Sequence, residues 1–405
     1  MSDWATLQLK RIADCWDHLR VPLNAVERGS RPGQIPYWGA NKVQDYVDTA
    51  LVDDDVVLLG EDGAPFFDRL RDVAFRVNEP IWPNNHIHVL KARKEVDTRW
   101  LAYVLNDVDY SLYVVGSTRD KLTQSAMMSI ELQVPPPCEQ RAIADYLDRE
   151  TAQIDAFIAK NEELITLLTE RRAAVIARAV TKGIDDAAEL KPSGVPALGS
   201  IPTGWAVRRV RNVGRAIIGL TYAPEDICGE DDGGTLVLRA GNIQDSRLDL
   251  EDCVYVSKSI PDSLRLRLGD IVICARNGSA RLIGKNALAT EEVVGQTWGA
   301  FMAVLRTPTN EYLRWVLNST IFTSSLGAFA TATINQLTSS TLHSLQFALP
   351  PRDEQVAIAA YLEEATNSID EAIRAAGRAT DLARERRAAL ISAAVTGKID
   401  VGVAV

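Results

Sequence analysis

The sequence predicts an α+β protein built from two copies of one unit, in the order globular block, long helix, globular block, long helix. Two observations predict it. Residues 138–185 recur 215 positions on, at 353–400, with 23 identities in 48 ungapped positions, where unrelated sequence of average composition gives roughly three. The repeated stretch also has no Pro or Gly from 139 to 181 in its first copy, so nothing breaks a helix of about 43 residues. A repeat of this period requires the architecture to be read as two units of one design.

The first helix fits a heptad frame. Ile143, Phe157 and Leu164 fall on d; Leu147, Ile154, Leu168 and Val175 fall on a, with Asn161 as a polar a residue that would fix register. The second copy carries Ile358, Leu362, Ile369 and Leu390 on the same seam, then Ala365, Ala372, Ala376, Ala379 and Ala383. Large side chains facing alanines let two helices approach closely, which favours pairing of the helices over packing of each on its own block.

The blocks are read in chain order. Residues 4–21 suit a short helix. A basic turn, Arg28-Gly-Ser-Arg31-Pro-Gly33, leads into Pro36-Tyr37-Trp38-Gly39-Ala40-Asn41-Lys42. The apolar run 56–59, closed by Gly60-Glu-Asp-Gly63, reads as a buried strand and turn. His86, His88 and Leu90 alternate on a strand, and 98–105 is helical. The Pro-, Gly- and Ser-rich stretch 182–205 marks a boundary. The blocks echo each other at the same 215 offset: 55–57 meets 270–272, Gly63 meets Gly278 and Leu122-Thr123 meets Leu337-Thr338. At an offset of 212, 103–106 meets 315–318. The predicted divisions are 1–137 (block), 138–181 (helix), 182–205 (linker), 206–350 (block), 351–397 (helix) and 398–405 (tail).

Composition excludes several classes. The chain has 405 residues, net charge −10, 46% apolar and 24% charged side chains, as in ordinary globular proteins. No apolar run reaches 18 residues and the N-terminus has no signal-peptide pattern, so a cytoplasmic protein is expected. Five scattered cysteines without a CxxC predict reduced thiols and no zinc site. No division is net basic: 15 basic and 20 acidic groups lie in 1–137, 8 and 11 in 138–191, 14 and 14 in 192–350, and 7 and 9 in 351–405. Any affinity for DNA must then come from local patches or from partner subunits. Pro136-Pro137 and Pro350-Pro351 lack the context of an adenine-methyltransferase motif. The stretch from Gly278 to Asn286 has the wrong spacing for a phosphate loop. His86 and His88 read as a packed or hydrogen-bonded pair, since no Cys or third His lies near them.

The helix entries VPPPCEQRAIADYLDRETAQID and LPPRDEQVAIAAYLEEATNSID resemble the conserved regions of type I restriction–modification specificity subunits. The linker SGVPALGSIPTGW and the segments PYWGANKVQDYVD, AGNIQD and GDIVICARNG resemble further parts of that family, so the resemblance spans the chain. It implies two mixed α/β target-recognition domains joined by two long helices packed as an antiparallel coiled coil, with a pseudo-twofold internal repeat. Each domain would read one half of an asymmetric bipartite site in double-stranded DNA, and the helices would set the spacer. It implies no catalysis and no cofactor in this chain. Two methyltransferase subunits and motor-nuclease subunits would be the partners, carrying S-adenosylmethionine, ATP and Mg. Alternatives are the specificity subunit of a system whose single partner both methylates and cuts, and a coiled-coil scaffold that binds only protein.

The DNA-contact candidates are Arg28, Arg31, Tyr37, Trp38, Asn41, Lys42, Lys91, Arg93 and Lys94 in the first block, and Arg239, Asn242, Arg276, Asn277, Arg281 and Lys285 in the second. Arg and Lys suit guanine or phosphate and Asn suits adenine; solvated surface charge is the alternative for each. Trp298 reads as core. Glu170, Arg171 and Arg172, with their copies Glu385, Arg386 and Arg387, are the candidates for contact with a methyltransferase subunit, or else a solvated helix face.

Overall fold

The computed structural model describes residues 4–114, 120–329 and 336–401; the end of the expected tail, 402–405, lies outside them. Two compact units are present. One comprises 1–164 and 375–405, the other 165–374, so each unit takes part of both long helices.

The helices run Pro137–Lys182 and Arg352–Val395. At 46 residues the first is roughly 69 Å long at ~1.5 Å per residue. Pro137 opens it, where a missing N–H costs nothing. Gly183 and Gly397 end the two helices with φ of 76° and 67°, a left-handed turn that suits glycine.

Both helix entries are built alike. Trp4 Nε1 donates to Glu139 in the first unit and Trp205 Nε1 to Glu354 in the second, at 3.1 and 2.9 Å. Gln140 and Gln355 donate to the carbonyls of Pro135 and Pro350, both at 2.8 Å. Arg99 pairs with Asp148, and Arg314 with Glu363. Apart from the tryptophans, each of these matches keeps the 215 offset.

The first unit holds a four-stranded antiparallel sheet in the order Ala13–Cys15, Ile87–Ala92, Val56–Gly60, Ala74–Val77. The second holds one in the order Arg215–Ile218, Met302–Arg306, Ile271–Cys274, Asn286–Leu288. The fully apolar run Val56–Leu59 is buried on both faces, as its sequence requires. Beside each lies a second sheet, of three strands in the first unit and four in the second, whose last pair is parallel: Pro32–Trp38 with Trp82–Pro83, and Thr235–Leu238 with Thr297–Trp298. Among the described residues no helix is long and apolar enough to cross a membrane.

Two expectations change, and the linker gains detail. Residues 4–21 are not one helix: Ala5–Gln8 pairs with Glu131–Val134 as strands, Leu9–Ile12 is a single α-helical turn, and Asp17–Leu19 a separate 3-10 turn. Within the linker 182–205, Leu190–Pro192 and Ser200–Pro202 form a hairpin and Trp205 enters the core. Phe157 and Leu164, placed on the seam by the heptad frame, are 47% and 44% exposed, while their neighbours Ile158 and Ile165 are half-buried. Ala372 likewise faces solvent, and the Asn161 amide donates to Phe157 O of its own helix.

Leu147→Ala should therefore lower stability by about 2–5 kcal/mol, and Leu164→Ala by about 0.5 kcal/mol or less. Chemical denaturation of the two variants checks this; equal losses would restore the heptad seam.

Candidate nucleic-acid interface

An arginine is available to a polyanion only where no carboxylate has already claimed it, and this divides the candidates. In the first unit Arg28 is held by Asp45 and lies over the Tyr37 ring. Lys91 pairs with Asp54, and Arg93 with Asp14. Arg31 sits over Trp82. Lys42 and Lys94 are exposed and Asn41 is half-buried. Trp38 packs on Phe75. In the second unit Arg239 pairs with Asp252, and Lys285 Nζ donates to Gln244. Asn277 accepts from Ser279 N–H. Arg276 and Arg281 are exposed, and neither meets a carboxylate among the described residues.

Two candidates face inward. Tyr37 is 2% exposed, with its hydroxyl between the N–H and carbonyl of Leu23. Asn242, also 2% exposed, donates to the carbonyls of Asp249 and Asp252 and accepts from Arg239 N–H. Both hold loops in shape and present nothing to a ligand.

The partner candidates divide in the same way. Glu170, Arg171, Glu385 and Arg386 are exposed. Arg172 instead pairs with Asp370 at 2.8 Å within the second unit, and Arg387 with Asp155 and Asp72, each at 2.9 Å, within the first. The 215 offset carries Arg172 to Arg387 and Asp155 to Asp370, so the two pairs exchange roles. Arg384 adds a bond to Glu162. In each unit a segment of one long helix thus carries an ion pair to a segment of the other.

His88 is buried, with Nδ1 on Asp17 at 2.6 Å and Nε2 on the Leu122 carbonyl at 2.9 Å; His86 Nδ1 meets Asp62 at 2.7 Å. Ligand atoms of Asp17, Glu61 and His88 lie within 4.8 Å of one another, a spacing a cation can bridge. Here Arg20 and Lys121 already supply the positive charge. Burial raises the Asp17 and Glu61 carboxyls, but bonds from His88 to Asp17, and from Lys121 and Arg20 to Glu61, outweigh it and hold both below the ordinary carboxylate range.

The reading from sequence missed Phe301, which stands 61% exposed with Arg276 over its ring. The 215 offset, which sets His86 against Phe301, was the available signal; exposure was not.

Residues 1–166 match the family model of the type I restriction modification DNA specificity domain. This chain resembles the specificity subunits of type I restriction–modification systems. A Haemophilus influenzae protein named as a type I restriction enzyme specificity subunit is 32% identical over 144 residues, 36% of either chain. The Escherichia coli EcoKI specificity subunit is 29% identical over 211 residues, 50% of this chain and 44% of that one. The chain thus matches less than half the length of these relatives. A chain solved in a study of complex assembly and conformational transition of the type I R-M system has the same fold, with a TM-score of 0.63 at 15% identity over 98% of both chains.

Two outcomes follow from the ion pairs. A depressed carboxyl stabilises the fold fully above its ordinary pKa, and that contribution is lost as pH falls below about 4. Asp17→Asn should cost about 1–3 kcal/mol at pH 7, with the gap to the parent chain narrowing toward pH 3 in denaturant titrations. Arg172→Asp should cost about 1.5–3 kcal/mol, and adding Asp370→Arg should recover most of it. A double variant no better than the single one would mean that the pair contributes nothing.

Proposed function

We propose that this chain is the DNA-specificity subunit of a type I restriction–modification complex, working in the cytoplasm. Each unit reads one half of an asymmetric bipartite site, and the two long helices, paired as an antiparallel coiled coil, set the spacer. The chain itself is not catalytic. It directs two methyltransferase subunits, and with them motor-nuclease subunits, to the site; S-adenosylmethionine, ATP and Mg act on those partners. The contacts to methyltransferase are assigned to Glu170 and Arg171 and their copies Glu385 and Arg386.

The observation that carries this reading is the exchanged pair of ion bonds, Arg172 to Asp370 and Arg387 to Asp155. An exchange at constant offset is what a pseudo-twofold repeat produces when the two helices run against each other. The shared strand order of the two main sheets supports the same repeat. Scale supports the ruler role: a helix of roughly 69 Å exceeds the ~34–36 Å between half-sites one DNA turn apart. Heads of unlike surface on a twofold frame call for a site that is not a palindrome. The divisions at 1–137 and 206–350 serve as the two heads.

Replacing 206–350 by the corresponding block of another specificity subunit, in complex with methyltransferase, tests this. Sequencing of methylated adenines should show one half-site changed, with the other half and the spacer kept. A change in both halves would contradict one head per half-site. Absence of any sequence-specific DNA binding by the parent complex would leave only a protein scaffold.

A further inference from the structure

One corner of each unit is built on the same backbone clasp. In the second unit Arg276 N–H donates to the Phe301 carbonyl at 2.9 Å; in the first, Glu61 N–H donates to the His86 carbonyl at 2.9 Å. The offset is 215 at both ends. Leu337 N–H then closes on Ala275 O, and Leu122 N–H on Glu61 O, both at 2.7 Å. A further bridge ties Arg276 to Gln336, and another ties Asp62 to Lys121. Both corners therefore sit on strand ends, where side chains are held more firmly than on a free loop.

Their chemistry differs. In the first unit the corner is charge-balanced: Glu61 lies between Arg20 and Lys121, and His86 meets Asp62. In the second, Phe301 projects from the tight turn closed by the Met302 N–H bond to Gly299 O. Arg276 lies 5.3 Å from its ring centroid, with no carboxylate partner among the described residues. An exposed aromatic with a guanidinium over its ring and no carboxylate beside it matches a surface that is anionic and partly apolar.

We propose that Arg276 and Phe301 form a base-reading contact of the second unit. The Arg276 fork takes the O6 and N7 acceptors of a guanine, and Phe301 takes the C5 methyl of an adjacent thymine in the major groove of duplex DNA. Both groups belong to one rigid corner, so they address neighbouring base pairs together. The first unit's corner, where His86 and Lys121 are already paired with Asp62 and Glu61, presents a different surface at the same place. This rests on the DNA-reading role proposed above and names where in the second unit that role resides.

The test uses the full chain assembled with its methyltransferase subunits, and duplexes carrying each base in turn at every position of the half-sites mapped for the parent complex. A parent complex with no sequence preference defeats the DNA-reading role itself. With that preference established, Arg276→Ala and Phe301→Ala should each lower affinity for the native site about ten- to hundred-fold. They should also relax one or two adjacent positions of a single half-site and leave the other half intact. Arg276→Lys keeps the charge and loses the fork, so guanine preference should fall while the salt dependence of binding stays. Phe301→Leu should retain part of the thymine preference. Uniform weakening across all sequences, with the salt slope reduced by about one, would make Arg276 a phosphate contact and overturn the proposal. Unchanged preference, or a change confined to the other half-site, overturns it as well. Both side chains are exposed, and an unaltered thermal transition of each variant confirms that the change lies in binding.

Discussion

The structure depends on charge pairs set into the long helices. A guanidinium drawn from water is held only if a carboxylate faces it with its oxygens correctly placed. Arg387 meets that condition with Asp72 from the globular part of its unit, through two hydrogen bonds, and has Asp155 of the other helix beside it as a charge neighbour at 2.9 Å. Burial opposes its charge, and the two carboxylates, Asp72 chief among them, more than restore it. Apolar contacts alone would tolerate sliding, because alanines and leucines along a seam offer many near-equivalent registers. An ion pair with two good bonds does not. Arg172 and Asp370 do the same in the second unit with the donor and acceptor exchanged between helices.

That exchange explains why these segments keep their likeness while the blocks do not. A residue in such a pair answers to a partner on the other helix, so neither changes alone without leaving a part-buried guanidinium short of a counter-charge. The entry residues Glu139 and Glu354, each taking a tryptophan N–H, and Gln140 and Gln355, each closing on a proline carbonyl, are constrained in the same way. The sheets obey a weaker rule. Val56–Gly60 and Ile271–Cys274 need only be apolar and the right size, so strand order persists while sequence drifts.

Much of this was legible in the sequence. The two uninterrupted helices, the buried strand at 56–59 and the helix Thr98–Asn106 follow from pattern alone. The helix faces were not fully legible, and the cause is geometric. A straight helix turns 3.6 residues per turn and drifts ~20° per heptad from a fixed 3.5 frame. By Phe157 and Leu164 that drift has carried the inner face one residue on, to Ile158 and Ile165. Residues 4–21 were misread because the partner of Ala5–Gln8 lies at Glu131–Val134, far along the chain. At the candidate interface, sequence supplied residue types and structure supplied availability. Tyr37 and Asn242 carry the right chemistry and point it at their own loops.

Divergence at a fixed place requires a backbone that does not rely on the side chains it displays. The corner clasps meet that requirement. Glu61 and Arg276 are opposite in charge, and His86 and Phe301 differ in polarity, yet the same N–H reaches the same carbonyl at the same distance. Because the geometry is carried by main-chain bonds, the exposed side chains Arg276 and Phe301 can change without unfolding the strand ends. A surface of that kind can acquire new specificity at little structural cost, and it sits on units whose helices are held by pairs that cannot drift. On the proposed reading, constancy of the frame and variety of the heads therefore have one origin: which hydrogen bonds belong to backbone and which to side chains.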